Sequence, residues 1–171
     1  GIGYQVQDAM LKAADVELVL GRTICSGKYI NVMTGNVAAV RASMAAGLAA
    51  APDGVIDQIV IPNVHETVFP ALGQSVILDD ERPGAIGIIE TYSAASVLEA
   101  ADAAAKAAAV TLFRIHLAMA LGGKGFCLMA GSVANCRTGV ETGAEIVREK
   151  GLLVSAVVIP GPSKELFREF I

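Results

Sequence analysis

Apolar positions in this chain come in short blocks separated by glycine-bearing polar breaks, and the blocks alternate between strand and helix character. Residues 16–22 (VELVLGR) and 29–33 (YINVM) are β-rich runs on either side of Thr23-Ile24-Cys25-Ser26-Gly27-Lys28, a pattern that predicts a hairpin with a thiol in its turn. Further on, AIGIIE at 85–90 predicts a buried strand. Ser93 is placed to cap an Ala-rich helix over 94–109. Strands are predicted at 110–118 and 125–130, around the turn Leu121-Gly122-Gly123-Lys124. Ser132 opens a helix that runs to about Lys150, with Gly151 as its stop, followed by a strand at 152–159 and a short helix at 163–170.

The same order occurs twice. DAMLKAADVEL at 8–18 matches DAAAKAAAVTL at 102–112 in seven of eleven positions. Downstream, Met33 pairs with Met129, Gly35 with Gly131, Val37 with Val133, Arg41 with Arg137, Gly47 with Gly143, and Ile61-Pro62 with Ile159-Pro160. A repeat of this length makes each copy one structural unit. The expected division is a first domain at 1–73 with a closing helix at 63–72, a linker at 74–84, and a second domain at 85–171. The order β-α-β-β-α-β is the split βαβ, or ferredoxin-like, unit, an α+β fold with two helices on one face of an antiparallel sheet. Aligned back from the match, Gly1 falls opposite Ala95, so the first copy lacks the counterpart of strand 85–90. That strand is interior in this topology, and its loss leaves backbone groups without partners. Either the chain is trimmed ahead of Gly1 or another segment fills the slot; trimming is the favoured expectation.

Composition narrows the function classes. With 54% hydrophobic residues in 171, the chain has ample material for a core, and a net charge of −4 gives no electrostatic reason to expect nucleic acid. Mean hydropathy is high, +0.58, yet charged residues interrupt every apolar run before the roughly 18 residues a spanning helix needs. The surplus apolar surface is expected to lie between subunits. No basic-then-apolar leader stands at Gly1, so no secretion is expected. Three cysteines, Cys25, Cys127 and Cys136, without CxxC spacing argue against a disulfide framework or a self-contained zinc site and fit a reducing cytosol. Cys127 and Cys136 sit in apolar runs and are expected to be small core residues. His116 is expected to be a structural strand histidine, Asp79-Asp80-Glu81 a solvated linker, and Gly122-Gly123-Lys124 a turn between strands rather than a phosphate loop. No paired carboxylates, activated nucleophile or cofactor fingerprint stands out, so no enzyme activity is expected.

AIGIIETYSAASVLEAADAAAKAAAVTL (85–112) strongly resembles the start of a bacterial microcompartment (BMC) shell domain, and the duplicated chain resembles the tandem-domain shell proteins of that family. DAMLKAADVELVLGRTICSGK and KGLLVSAVVIPGPSKELF are most similar to the tandem shell proteins of propanediol-utilisation compartments. The resemblance implies homotrimers that mimic a hexamer and pack with other shell proteins into a cytoplasmic compartment's shell. It implies that the loop at Cys25 surrounds the threefold axis, where one cysteine from each chain binds a [4Fe-4S] cluster, with electron exchange to redox enzymes inside. Lys12 and Lys106, at matching positions, are implied to lie at tile edges. Two departures from the family pattern stand out. Ser26 replaces the proline common after this cysteine, and Asn63-Val64-His65 and Gly161-Pro162-Ser163 lack an edge arginine. Two rival expectations are a shell pore for small polar metabolites without a cluster, and a ferredoxin-like metabolite-binding regulator.

Overall fold

The computed structural model describes residues 1–78, 83–117 and 122–167, and the chain divides into two compact units, 1–62 and 63–171. The acidic stretch Asp79-Asp80-Glu81, Leu121 and the end of the last expected helix lie outside the described residues.

The second unit is the complete one. Strands β3 (Ala85–Thr91), β4 (Thr111–Leu117), β5 (Gly125–Gly131) and β6 (Leu153–Pro160) form one antiparallel sheet in the order β4-β5-β3-β6. The helices α4 (Ala94–Ala107) and α5 (Val133–Glu149) pack on one face. Side chains alternate along each strand, so Ile89, Ile115, Leu117, Cys127 and Met129 enter the core with Val97 and Val147 of the helices. Each helix starts where its cap residue supplies an acceptor. Ser93 takes the N–H groups of Ala95 and Ser96 at 3.1 and 3.3 Å, and Ser132 takes that of Asn135 at 3.2 Å. Gly151, at φ 70°, ends the α5 region in the left-handed conformation that favours glycine.

The first unit carries α1 (Ile2–Ala13), β1 (Glu17–Ile24), β2 (Lys28–Thr34) and α2 (Val37–Ala50). Here β1 and β2 form a two-stranded antiparallel sheet, and α1 packs on α2, with Ser43 Oγ donating to the carbonyl of Met10 at 3.0 Å. The βαββαβ fold is present in the second unit and abbreviated in the first. The expected counterpart of β6 at 55–62 forms no strand. Its neighbour in the fold is the interior strand, which has no counterpart among the described residues of this unit, and an edge strand without a neighbour has no ladder to join.

The expected helix at 63–72 is shorter, and it belongs elsewhere. Only α3 (Val68–Leu72) is helical, and it packs against β4 in the second unit. Two residues of the expected linker at 74–84 make packing contacts. Val76 and Leu78 pack on the cluster of Ile86, Phe113, Leu128 and Ala130, on the sheet face away from α4 and α5. Apolar side chains at these two positions cover a sheet face that would otherwise be wet. The short final helix is α6 (Lys164–Phe167).

Candidate functional site

Strand pairing runs to the edge of the cysteine turn. Thr23 pairs with Tyr29 and Ile24 with Lys28, so three residues, Cys25, Ser26 and Gly27, make the connection. The six-residue polar break of the sequence is therefore half strand: Thr23, Ile24 and Lys28 belong to the ladder because their backbone groups find cross-strand partners. Ser26 has φ 61° and ψ 37°, and Gly27 has φ 71°. Two successive left-handed residues reverse the chain within three positions, which holds Cys25 half-buried at the turn while Ser26 and Gly27 are exposed. A proline, fixed near φ −65°, cannot take the conformation Ser26 has.

The second copy's hairpin is built to the same plan. Both carry a register shift at one repeat position, between Leu18 and Leu20 and between Leu112 and Arg114. Among the described residues its pairing reaches Leu117 and Gly125, and Gly122 and Gly123 are left-handed at φ 64° and 98°. Lys124 lies 3.8 Å from Glu90 and sits 5.8 Å over the ring of Tyr92. This is a turn between strands with no helix N-terminus behind it, unlike a phosphate loop.

Lys12 and Lys106 each reach back one helical turn to an aspartate, Asp8 and Asp102, both at 2.6 Å. The two pairs differ in burial. The Asp8 pair is exposed, whereas Asp102 is buried and its Oδ1 also accepts the backbone N–H of His65 at 2.7 Å. The His65 ring turns to Thr67, with Nδ1 2.9 Å from Oγ1. The sequence reading missed this role of Asp102. Its signal was an acid repeated at one position of two matching helices, Asp8 and Asp102.

Cys127 and Cys136 are buried in the sheet and in α5, and desolvation pushes the Cys127 thiol up to about 12 and the Cys136 thiol up as well. Both are neutral core residues, with Cys136 Sγ 3.5 Å from the carbonyl of Ala85. His116 is half-buried and stacks on Phe126 with ring centres 5.0 Å apart. Among the described residues no three His, Cys, Asp or Glu side chains of one chain come together as a metal site. The hairpin brings Cys25 and Lys28 to one turn; the other candidates lie at separate places in the fold.

The BMC domain family matches residues 1–64 and 85–162. Over 169 residues the chain is 41% identical to the bacterial microcompartment shell protein PduT of Citrobacter freundii, covering 99% of this chain and 91% of that protein. It is 31% identical over 171 residues to the carboxysome assembly protein CcmO of Synechococcus elongatus, covering 93% of this chain and 60% of that longer protein. A crystal structure of a microcompartment protein from Desulfitobacterium hafniense DCB superposes with a TM-score of 0.91 at 43% identity, covering 98% of this chain and 92% of the other. These relatives carry the names of shell and assembly proteins, not of enzymes. With both repeats matched and the fold shared, the chain belongs to the BMC domain family, as a two-copy microcompartment shell protein similar to PduT.

Proposed function

We propose that three copies of this chain form a pseudohexameric tile in which the Cys25 turns meet on the threefold axis and hold one [4Fe-4S] cluster. The observation that carries this reading is the turn itself: a sulfur at a three-residue hairpin connection, next to two exposed left-handed residues, in one repeat and not the other. Iron-sulfur clusters take thiolate ligands, and three from a trimer leave one iron for an outside ligand. One chain offers one sulfur at this place, so the site is complete only with symmetry copies. Backbone N–H groups of the glycine-containing turn, together with Lys28, would favour the anionic thiolate. When bound, the cluster supplies one-electron transfer across the shell, linking redox enzymes inside the compartment to carriers in the cytoplasm. Cys25 would anchor it, and the turn would hold the sulfur at the axis.

Lys12 and Lys106, on the outer turns of α1 and α4, are proposed as tile-edge contacts with neighbouring shell proteins. Their long apolar stems can lie along a neighbour while the ammonium keeps its aspartate. The test is anaerobic purification. A brown protein with broad visible absorption that bleaches on reduction is expected, and Cys25→Ser should be colourless. Colour that persists in Cys25→Ser defeats the assignment. A colourless, iron-free trimer from cells supplied with iron favours a metabolite pore, and ligand-dependent stabilisation of small non-tiling oligomers favours a regulator.

A further inference from the structure

The second unit holds a junction whose two halves recur, exposed, elsewhere in the chain. Residues 63–72, which end the first repeat, belong to the second unit, where α3 packs on β4 and the backbone N–H of His65 donates to Oδ1 of Asp102 at 2.7 Å. Val68 is covered there, at 1% exposure. By the repeat, Asp102 corresponds to Asp8 of α1 and β4 to β1, and 63–68 corresponds to 161–166 through the matched Ile61-Pro62 and Ile159-Pro160. The two donor segments share a conformation. Asn63 and Gly161 are both left-handed, at φ 51° and 54°. The N–H of Val68 reaches the carbonyl of His65 at 3.0 Å, as that of Leu166 reaches the carbonyl of Ser163 at 3.1 Å. Their surroundings differ: Ser163 is exposed, Leu166 is 39% exposed, and the Asp8 side chain is 63% exposed against 8% for Asp102. Lys12 sits on Oδ2 of Asp8, as Lys106 sits on Oδ2 of Asp102, so Oδ1 of Asp8 has the place that takes His65 in the second unit. In the sheet β5 separates β4 from β3, and β1 matches β4, so this face does not depend on the interior strand that the first copy lacks.

We infer that a second copy of this chain completes the junction: residues 161–166 of one chain dock on α1 and β1 of the next, with the backbone N–H of Ser163 donating to Asp8 and Leu166 packed as Val68 is. This junction rests on the proposed three-chain tile and specifies which surfaces meet in it. Burial of Leu166 supplies the apolar part of the contact. The carboxylate of Asp8, taken from water, gains a charge-assisted hydrogen bond. Such a contact is heterologous, the end of one chain on the start of another, and heterologous contacts either close a ring or grow a filament. Each chain supplies one internal junction and one between chains, and three chains alternate the two kinds around a closed ring.

The experiment combines Asp8→Cys with Ser163→Cys in a Cys25→Ser chain, so that neither the turn thiol nor a cluster enters, and the remaining Cys127 and Cys136 are buried. A disulfide needs Cα atoms about 4.4–6.8 Å apart. Mild oxidation should join chains end to end into covalent dimers and trimers, with no species beyond three. A mixture of chains carrying one of the two substitutions each should stop at dimers. Using Lys12→Cys in place of Asp8→Cys, one helical turn away, should slow cross-linking at least about tenfold. Light scattering before oxidation counts the chains. A second variant, Leu166→Asp, alters a side chain already partly exposed in the single chain, so it should fold, yet its monomer–trimer midpoint should move to at least about tenfold higher concentration. Trimers that fail to cross-link, that close the disulfide within one chain, that cross-link equally from Lys12→Cys, or that are unshifted by Leu166→Asp overturn the junction and leave the tile standing. Chains that stay single in solution, or a covalent ladder running past three, overturn both.

Discussion

The carboxylate of Asp102 holds the backbone N–H of His65 at 2.7 Å across 37 residues of chain, while its other oxygen holds Lys106 at 2.6 Å. One buried acid on α4 thus fixes the stretch that leads into α3. Removing the acceptor strands a half-buried N–H, which costs about 2 kcal/mol, so Asp102→Ala should lower unfolding stability by that amount. Asp102→Asn keeps a carbonyl acceptor and loses only a partly exposed ion pair, which costs under about 1 kcal/mol. Urea unfolding of the two variants checks the order, and equal losses would refute it.

The repeats should respond differently to one substitution. A Cβ on Gly143 would come 2.5 Å from the carbonyl oxygen of Ala100, which is backbone, whereas one on the matching Gly47 would come 2.7 Å from Cγ of Met10, a flexible side chain. Gly143→Ala should therefore destabilise by about 1–3 kcal/mol through overpacking. In Gly47→Ala the repacking of Met10 is offset by alanine's helix preference of about 1 kcal/mol, leaving little change. Thermal unfolding of each variant measures the contrast.

The cysteines divide by solvent access. A thiol-specific chromophoric reagent should label Cys25 rapidly in the metal-free protein, and Cys127 and Cys136 only after denaturation, because a buried neutral thiol is neither reachable nor nucleophilic. Fast labelling of more than one thiol per native chain would contradict the structure.

Alkaline stability follows from the same burial. The folded Cys127 thiol is pushed up to about 12 from an ordinary 9.0, so its contribution is fully present below pH 9. Above pH 9 the unfolded chain releases this proton first. Stability should then fall as pH rises towards 12, by no more than about 1.4 kcal/mol per pH unit. Cys136, raised in the same direction, adds to the slope. Denaturation midpoints between pH 8 and pH 10.5 should decline less steeply in Cys127→Ala than in the parent; parallel declines would exclude this origin.

The turn at Cys25 makes a further contrast. Ser26→Gly relieves a left-handed residue and should leave stability unchanged or raised by up to about 1 kcal/mol. Ser26→Pro cannot adopt φ 61° and should lose about 2 kcal/mol or more, or rebuild the turn. Equal stability of Ser26→Pro and the parent would show that the turn has another conformation.

Much of the second unit was legible because its signals were local and complete: caps at Ser93 and Ser132, alternating apolar strands, and Gly151 as a stop. The hairpin at Cys25 was legible for the same reason. Its length was not, since nothing local says whether Ile24 and Lys28 will pair. The failures were long-range. Residues 55–62 have strand-like composition but pair with no strand among the described residues, and Val76 and Leu78 gave no sign of the sheet face they cover. Asp102 drew no attention because its partner His65 is distant in sequence. The proposed convergence of Cys25 on an axis would belong to an assembly, and one chain offers no local signal of it.

The most direct test of the central claim is iron and acid-labile sulfide counted per trimer after anaerobic purification from iron-replete cells. The account predicts about four irons and four sulfides for every three chains, with neither retained by a Cys25→Ser protein that still forms trimers. Trimers of the parent without iron, or iron kept by Cys25→Ser, would contradict it.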